Sequence, residues 1–146
     1  MRLFNQLILC LCLSVVLGLF IVSCEKPKEA KLIISESEFI INQVSPYSYS
    51  IEARGKIKNI GEVDVKKVLV TGYCKSCFNG LKPGKWTISE RERAPEEVDV
   101  INYITVGGDA EFSFRDVAVM YNTVPEKPKE MPENLEVSIE SFETVD

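Results

Sequence analysis

Cys74-Lys75-Ser76-Cys77 places two thiols three residues apart, a spacing that serves a local disulfide, thiol–disulfide exchange or half of a zinc site. In exchange proteins the pair opens a helix, whose N-terminus lowers the thiol pKa. Here Phe78-Asn79-Gly80-Leu81-Lys82-Pro83-Gly84 follows, and Asn-Gly and Pro-Gly are turn dipeptides that do not sustain a helix. A zinc site needs two further ligands. The chain has no histidine, and no second Cys pair is left after the processing described below, so carboxylates or a second protomer would have to complete it. The expected role is a disulfide between Cys74 and Cys77 that pins the loop, closing a short ring for about 2 kcal/mol. Exchange chemistry, with Lys75 favouring a thiolate, is the alternative. Lack of histidine also excludes Ser-His-Asp and Cys-His nucleophile sites and haem attachment through Cys-x-x-Cys-His. The 22 acidic residues are spread along alternating segments, and no pair stands out for acid–base work. The sequence therefore predicts no catalytic residue, no metal and no cofactor.

The other cysteine with chemistry is Cys24. Arg2 supplies a positive start, residues 7–22 an apolar stretch, and Ser23 a small residue before Cys24, the three parts of an export signal. Ile21-Val22-Ser23-Cys24 resembles the lipobox of bacterial lipoproteins: aliphatic, spacer, small, Cys. That resemblance implies cleavage before Cys24 and acylation of its thiol, with palmitate-type chains anchoring the protein on the extracytoplasmic side of a membrane in the cell envelope. An uncleaved spanning helix needs roughly 20 apolar residues, a length reached only by including Asn5 and Gln6. Of the five cysteines, Cys10 and Cys12 leave with the signal and Cys24 takes the lipid. The even remainder, Cys74 and Cys77, fits a disulfide in an exported protein.

Removing residues 1–23 leaves a short polar tether, 24–30, and a segment 31–146 of ordinary single-domain size. Only Arg2 is lost from the charge count, leaving 16 Lys and Arg against 22 Asp and Glu. An acidic chain does not suit nucleic acid or anionic headgroups, so membrane affinity must come from the lipid, where two or more acyl chains give stable attachment.

The elements that must position these groups are strands. Ile51, Ala53, Gly55 and Ile57 alternate with Glu52, Arg54, Lys56 and Lys58, the period-two pattern of a strand with one wet face. Asn59-Ile60-Gly61 then turns the chain. Apolar positions move from Val63 and Val65 to Val68 and Val70 across Lys66-Lys67, which predicts a β-bulge there. Trp86-x-Ile88 is a short strand. Val98, Val100, Ile104 and Val106 are in phase. Phe112 and Phe114 are followed by Val117, Val119 and Tyr121, offset by one near Asp116. Leu135, Val137 and Ile139 close the domain, and residues 32–41 open it with Leu32, Ile34, Glu36, Glu38 and Ile40 on one face. Charged residues 89–97 and the segment 122–134, with three prolines, read as loops. No helix with caps and no repeat is present. About six to eight strands joined by Gly, Pro and Asn turns predict an all-β chain, a single antiparallel β-sandwich, with a small barrel as the alternative. Ile51, Ile57, Val68, Val70, Phe112, Phe114, Val137 and Ile139 form its expected core.

Gly55-x-Ile57-x-Asn59-x-Gly61, with Gly108 and Phe114 downstream, resembles the FxLYD-type domain. Where that family carries Phe-x-Leu-Tyr-Asp, this chain has Val70-Thr71-Gly72-Tyr73-Cys74 and keeps Tyr73. The resemblance spans about half of the mature chain and implies an immunoglobulin-like sandwich in an exported protein; it implies no activity. The expected function is a membrane-anchored, non-enzymatic domain for protein–protein contact or envelope structure. Its alternatives are a redox protein using Cys74 and Cys77 and, with the least support, a carrier of an apolar or sugar ligand.

Overall fold

The period-two segments form strands in a computed structural model that describes residues 26–88 and 94–145. The signal segment, Ile21, Val22, Ser23, Cys24 and the charged run 89–93 lie outside the described residues. Within them are β1 Leu32–Ser45, β2 Ser48–Asn59, β3 Val65–Cys74, β4 Phe78–Asn79, β5 Trp86–Ile88, a single-turn 3-10 helix Pro95–Glu97, β6 Val98–Ile104, β7 Asp109–Phe114, β8 Val119–Tyr121 and β9 Leu135–Thr144. One sheet has the order β1-β2-β8-β5-β4, with β7 also on β2; the other is β6-β3-β9. Neighbouring strands are antiparallel except for β4, which lies parallel to β5. The chain is an all-β sandwich.

Its core follows the alternation. Ile51, Ile57, Phe112 and Phe114 of the first sheet meet Val68, Val70 and Val137 of the second, all buried, with Ile139 half-buried against them. The stacked rings of Phe112 and Phe114 lie 5.8 Å apart. Gly72 on β3 lets the sheets close: a Cβ there would stand 2.8 Å from Val117 Cγ2 and 2.9 Å from Phe114 Cε2, inside van der Waals contact.

Breaks in the alternation sit where the chain changes face. Val65 and Val68 are both buried; between them Lys67 takes φ 51°, and the pairing with β9 is irregular from Lys66 to Val70. The pairing with β6 keeps its register, Val65 to Ile104 and Val68 to Ile101, so β6 changes face in step. For that reason Val100 is exposed and Ile101 packs on the core, whereas the sequence put Val100 and Val106 in phase with Ile104. In β1 a register shift between Ile34 and Glu36 moves Phe39 and Ile41 onto the core side with Leu32 and Ile34. The expected single-phase face with Glu36, Glu38 and Ile40 is corrected accordingly. Between β7 and β8 the partners shift from Ala53–Phe114 to Ser50–Val119, with Asp116 at φ 63°. Val117, Ala118 and Met120 are buried and Tyr121 is exposed, so the extra residues return the core phase to even positions instead of carrying Val119 and Tyr121 inward.

The strand ends collect at two poles. At one, Ile60 N donates to Lys31 O (2.8 Å), Glu62 N to Glu29 O (2.8 Å), Asn59 N to Gly108 O (3.0 Å) and Val145 N to Asp64 O (2.9 Å). At the other, Asn122 N donates to Tyr47 O (2.8 Å), Gly84 N to Tyr121 O (2.8 Å) and Lys75 N to Asn134 O (3.1 Å). A strand the length of β3 separates the poles by roughly 30 Å at ~3.3 Å per residue.

Candidate functional site

The Cys74 and Cys77 sulfurs are bonded, with Cα atoms 5.4 Å apart. β3 carries Cys74 to its end because Cys74 continues the even-numbered core phase of Val68, Val70 and Gly72; its register partner on β9 is Leu135, and it is buried. Cys77 is half-buried and packs on the core. After Cys77 the chain enters β4, not a helix, so among the described residues the pair does not open a helix whose N-terminus would lower a thiol pKa.

The loop between the cysteines is clamped to the start of β9. Lys75 N donates to Asn134 O at 3.1 Å, the Ser76 hydroxyl donates to Glu133 O, and Lys75 Nζ pairs with the Glu136 carboxylate. The disulfide thus sits where the chain leaves the three-stranded sheet for the edge of the other sheet. Beyond it, Phe78 lies under the Lys82 ammonium, 5.0 Å from the ring centre, and Leu81 is 77% exposed. Trp86 is buried and its indole N–H donates to Glu130 O at 3.0 Å. This ties the proline-containing loop 122–134 to the sheet.

Asn59 organises the opposite pole. It is fully buried; its amide donates to Val63 O at 2.8 Å and Ile104 O at 3.4 Å, and its carbonyl oxygen accepts from Gly61 N at 3.0 Å. With the backbone bond from Gly107 N to Asn59 O at 2.9 Å, one side chain and its peptide hold the turns at 60–63 and 105–108 together. Asp64 reinforces them. It accepts from Val106 N at 2.8 Å and from the Tyr103 hydroxyl, and these bonds hold its carboxyl below the ordinary value, the Tyr103 bond contributing most.

Glu52, placed on the wet face by its even position, is nearly buried. Its carboxylate accepts from Arg54, from Asn42 at 2.6 Å and from Ser113 at 3.1 Å. The bond to Arg54 is the main cause of its lowered pKa, against a smaller opposing effect of burial. Its bonds make this carboxylate a tie between β1, β2 and β7. An open groove beside it, ≈ 570 Å³, is lined by Glu36, Glu38, Arg54, Lys56, Asp99 and Glu111 among others. Charges of both signs, including the 3.7 Å Lys56–Glu36 pair, do not converge on one ligand chemistry. Among the described residues no group of three His, Cys, Asp or Glu side chains is arranged to hold a metal ion, and no helix is long and apolar enough to cross a membrane.

The sequence pointed to Cys74 and Cys77, and the fold joins them. It did not flag Asn59, Glu52 or the exposed apolar tips Ile60, Val106 and Tyr47. The Asn-x-Gly turn was the visible signal for Asn59; for Glu52 there was none. Comparison with protein-family models, with curated proteins and with solved structures finds no match.

Proposed function

We propose that the chain is a bacterial lipoprotein, acylated on Cys24 and held at the extracytoplasmic side of a membrane, whose non-enzymatic sandwich serves protein–protein contact or envelope structure. The observation that supports this reading is the polarity of the domain. The described chain enters at the Asn59 pole, where Glu29 and Lys31 are already bonded to the turn at 60–62. The disulfide loop, the Ser45–Ser48 hairpin and the 122–134 loop lie at the other end. A lipid at Cys24 therefore leaves the far pole pointing away from the bilayer. That pole exposes Tyr47, Phe78, Leu81 and Val124 on loops pinned by the disulfide and the Trp86–Glu130 bond, a surface of the kind used to hold a partner. A second route is the edge of β1, which pairs with β2 alone among the described strands; a partner strand can add there. Glu36, Glu38 and the register shift between Ile34 and Glu36 blunt its first half, and a second shift follows Gln43, leaving residues 39–43 as the accessible edge.

The test is metabolic labelling of bacteria with a tagged fatty acid, comparing the wild-type chain with Cys24→Ser, and photo-cross-linking in intact envelopes from position 81 against position 100. The expected result is acyl label and membrane sedimentation in the wild type only, and a discrete cross-linked species from position 81. Label persisting in Cys24→Ser, or no product that distinguishes position 81 from position 100, would refute the corresponding half of the reading.

A further inference from the structure

We infer that the Asn59 pole is itself a membrane-contact surface, in which the turn tips Ile60 and Val106 enter the lipid interface as an apolar footing for the domain. The inference rests on the lipid-anchor reading. Its own basis is three observations. First, the tips are side by side and outward-facing: Asn59 ties their turns together through its bonds to Gly107 and Gly108, while Ile60 remains 44% and Val106 48% exposed. Neither side chain belongs to the core cluster of the sandwich.

Second, the chain that would carry the lipid arrives at the same place. Lys26, Pro27 and Lys28 line one shallow surface groove together with Val63, Val106 and Val145. Because Glu29 O and Lys31 O accept bonds from the turn at 60–62, only residues 25–28 separate the acylated Cys24 from the domain. The five peptide steps from Cys24 to Glu29 span at most about 18 Å, and the headgroup layer is itself roughly 5–7 Å thick on each side. Fully extended, the tether leaves at most about 11–13 Å between this pole and the headgroup surface, less than the width of a folded domain. The occupant of the apolar tips is therefore the lipid interface.

Third, the charges at this pole balance. Lys26, Lys28 and Lys31 are offset by Glu29, Glu62 and Asp64, and Asp64 is engaged by Tyr103 and Val106. The contact is apolar, with no preference for anionic lipid, which agrees with the net acidity of the whole chain. Each tip adds little by itself; held by a covalent lipid at high effective concentration, both act to orient the domain with its disulfide pole outward.

The experiment uses the full lipidated chain reconstituted in phosphatidylcholine vesicles, with Val106→Trp or, at the far pole, Tyr47→Trp, read by fluorescence quenching with brominated phosphatidylcholine. The buried native Trp86 gives the common background. The expected result is quenching of Val106→Trp several-fold greater than that of Tyr47→Trp, unchanged by high salt or by anionic lipid, and reduced when Ile60→Asp is added. Ile60→Trp probes the same surface should Val106→Trp fail to fold. Equal, weak quenching at both poles in protein that floats with the vesicles overturns the footing while leaving the anchor intact. Quenching abolished by salt overturns its apolar nature. A purified chain without an acyl group, which does not float, removes the anchor and the footing with it.

Discussion

Ser50 and Asp116 bind each other across the break between β7 and β8. The Ser50 hydroxyl donates to the Asp116 carboxylate, and Asp116 N donates back to Ser50 Oγ at 3.2 Å. The pair fixes a residue at φ 63° and lets one continuous run from 109 to 121 serve β2 twice in different registers. Ser50 is nearly fully buried, so losing this hydroxyl leaves the bulge without its clamp. Ser50→Ala should destabilise by about 1.5–3 kcal/mol, the range for a hydrogen bond to a charged group. The effect should appear as a lower urea midpoint at constant m-value. Asp116→Asn, which tolerates positive φ, should cost less.

The contact of Gly72 with Phe114 and Val117 predicts a coupling across the sandwich. Phe114→Ala should destabilise by about 3–5 kcal/mol and Gly72→Ala by about 1–3 kcal/mol through overpacking. Combining Gly72→Ala with Val117→Ala should cost less than the sum, because the new methyl fills part of the space vacated. Additive costs in denaturant titrations of the three variants would show that the sheets do not close over Gly72.

Acid should act through Glu52. Its carboxyl titrates below the ordinary 4.5, chiefly because of the bond from Arg54, with Ser113 and Asn42 adding to it. A depressed folded pKa means that the stabilisation is complete above the unfolded value and disappears as pH falls through the folded one. Stability should thus be level above about pH 5 and fall below it. Glu52→Gln should flatten part of that slope in urea titrations at several pH values. Asp64 and Glu143, also lowered by their partners Tyr103 and Lys67, keep the remainder.

The disulfide is expected to behave as a staple. Cys74 is buried at a strand end, its loop is bonded to residues 133–136, and no helix follows. The pair should remain oxidised across glutathione buffers, with a potential below about −300 mV. Cys74→Ser with Cys77→Ser should lower stability by roughly 2 kcal/mol. Ready exchange with glutathione would instead make redox chemistry the leading function.

Alternation by itself determined that this is a β protein and which side of β2, β3, β7 and β9 faces inward, because burial of one sheet face imposes period two on the residues. The gap between Val65 and Val68 likewise marked the change of face at Lys67, since a slip of one residue leaves its trace in the pattern. The spacing of Cys74 and Cys77 in a chain without histidine by itself limited their chemistry. Tertiary structure decided the rest. That β6 turns over together with β3, exposing Val100, follows from a register kept between the two strands, which neither sequence carries alone. That Glu52 is nearly buried depends on Asn42 and Ser113, one on each neighbouring strand. And that residues 26–31, Ile60 and Val106 share one pole, with the disulfide at the other, results from the parity of strand crossings, a property of the path and not of any segment.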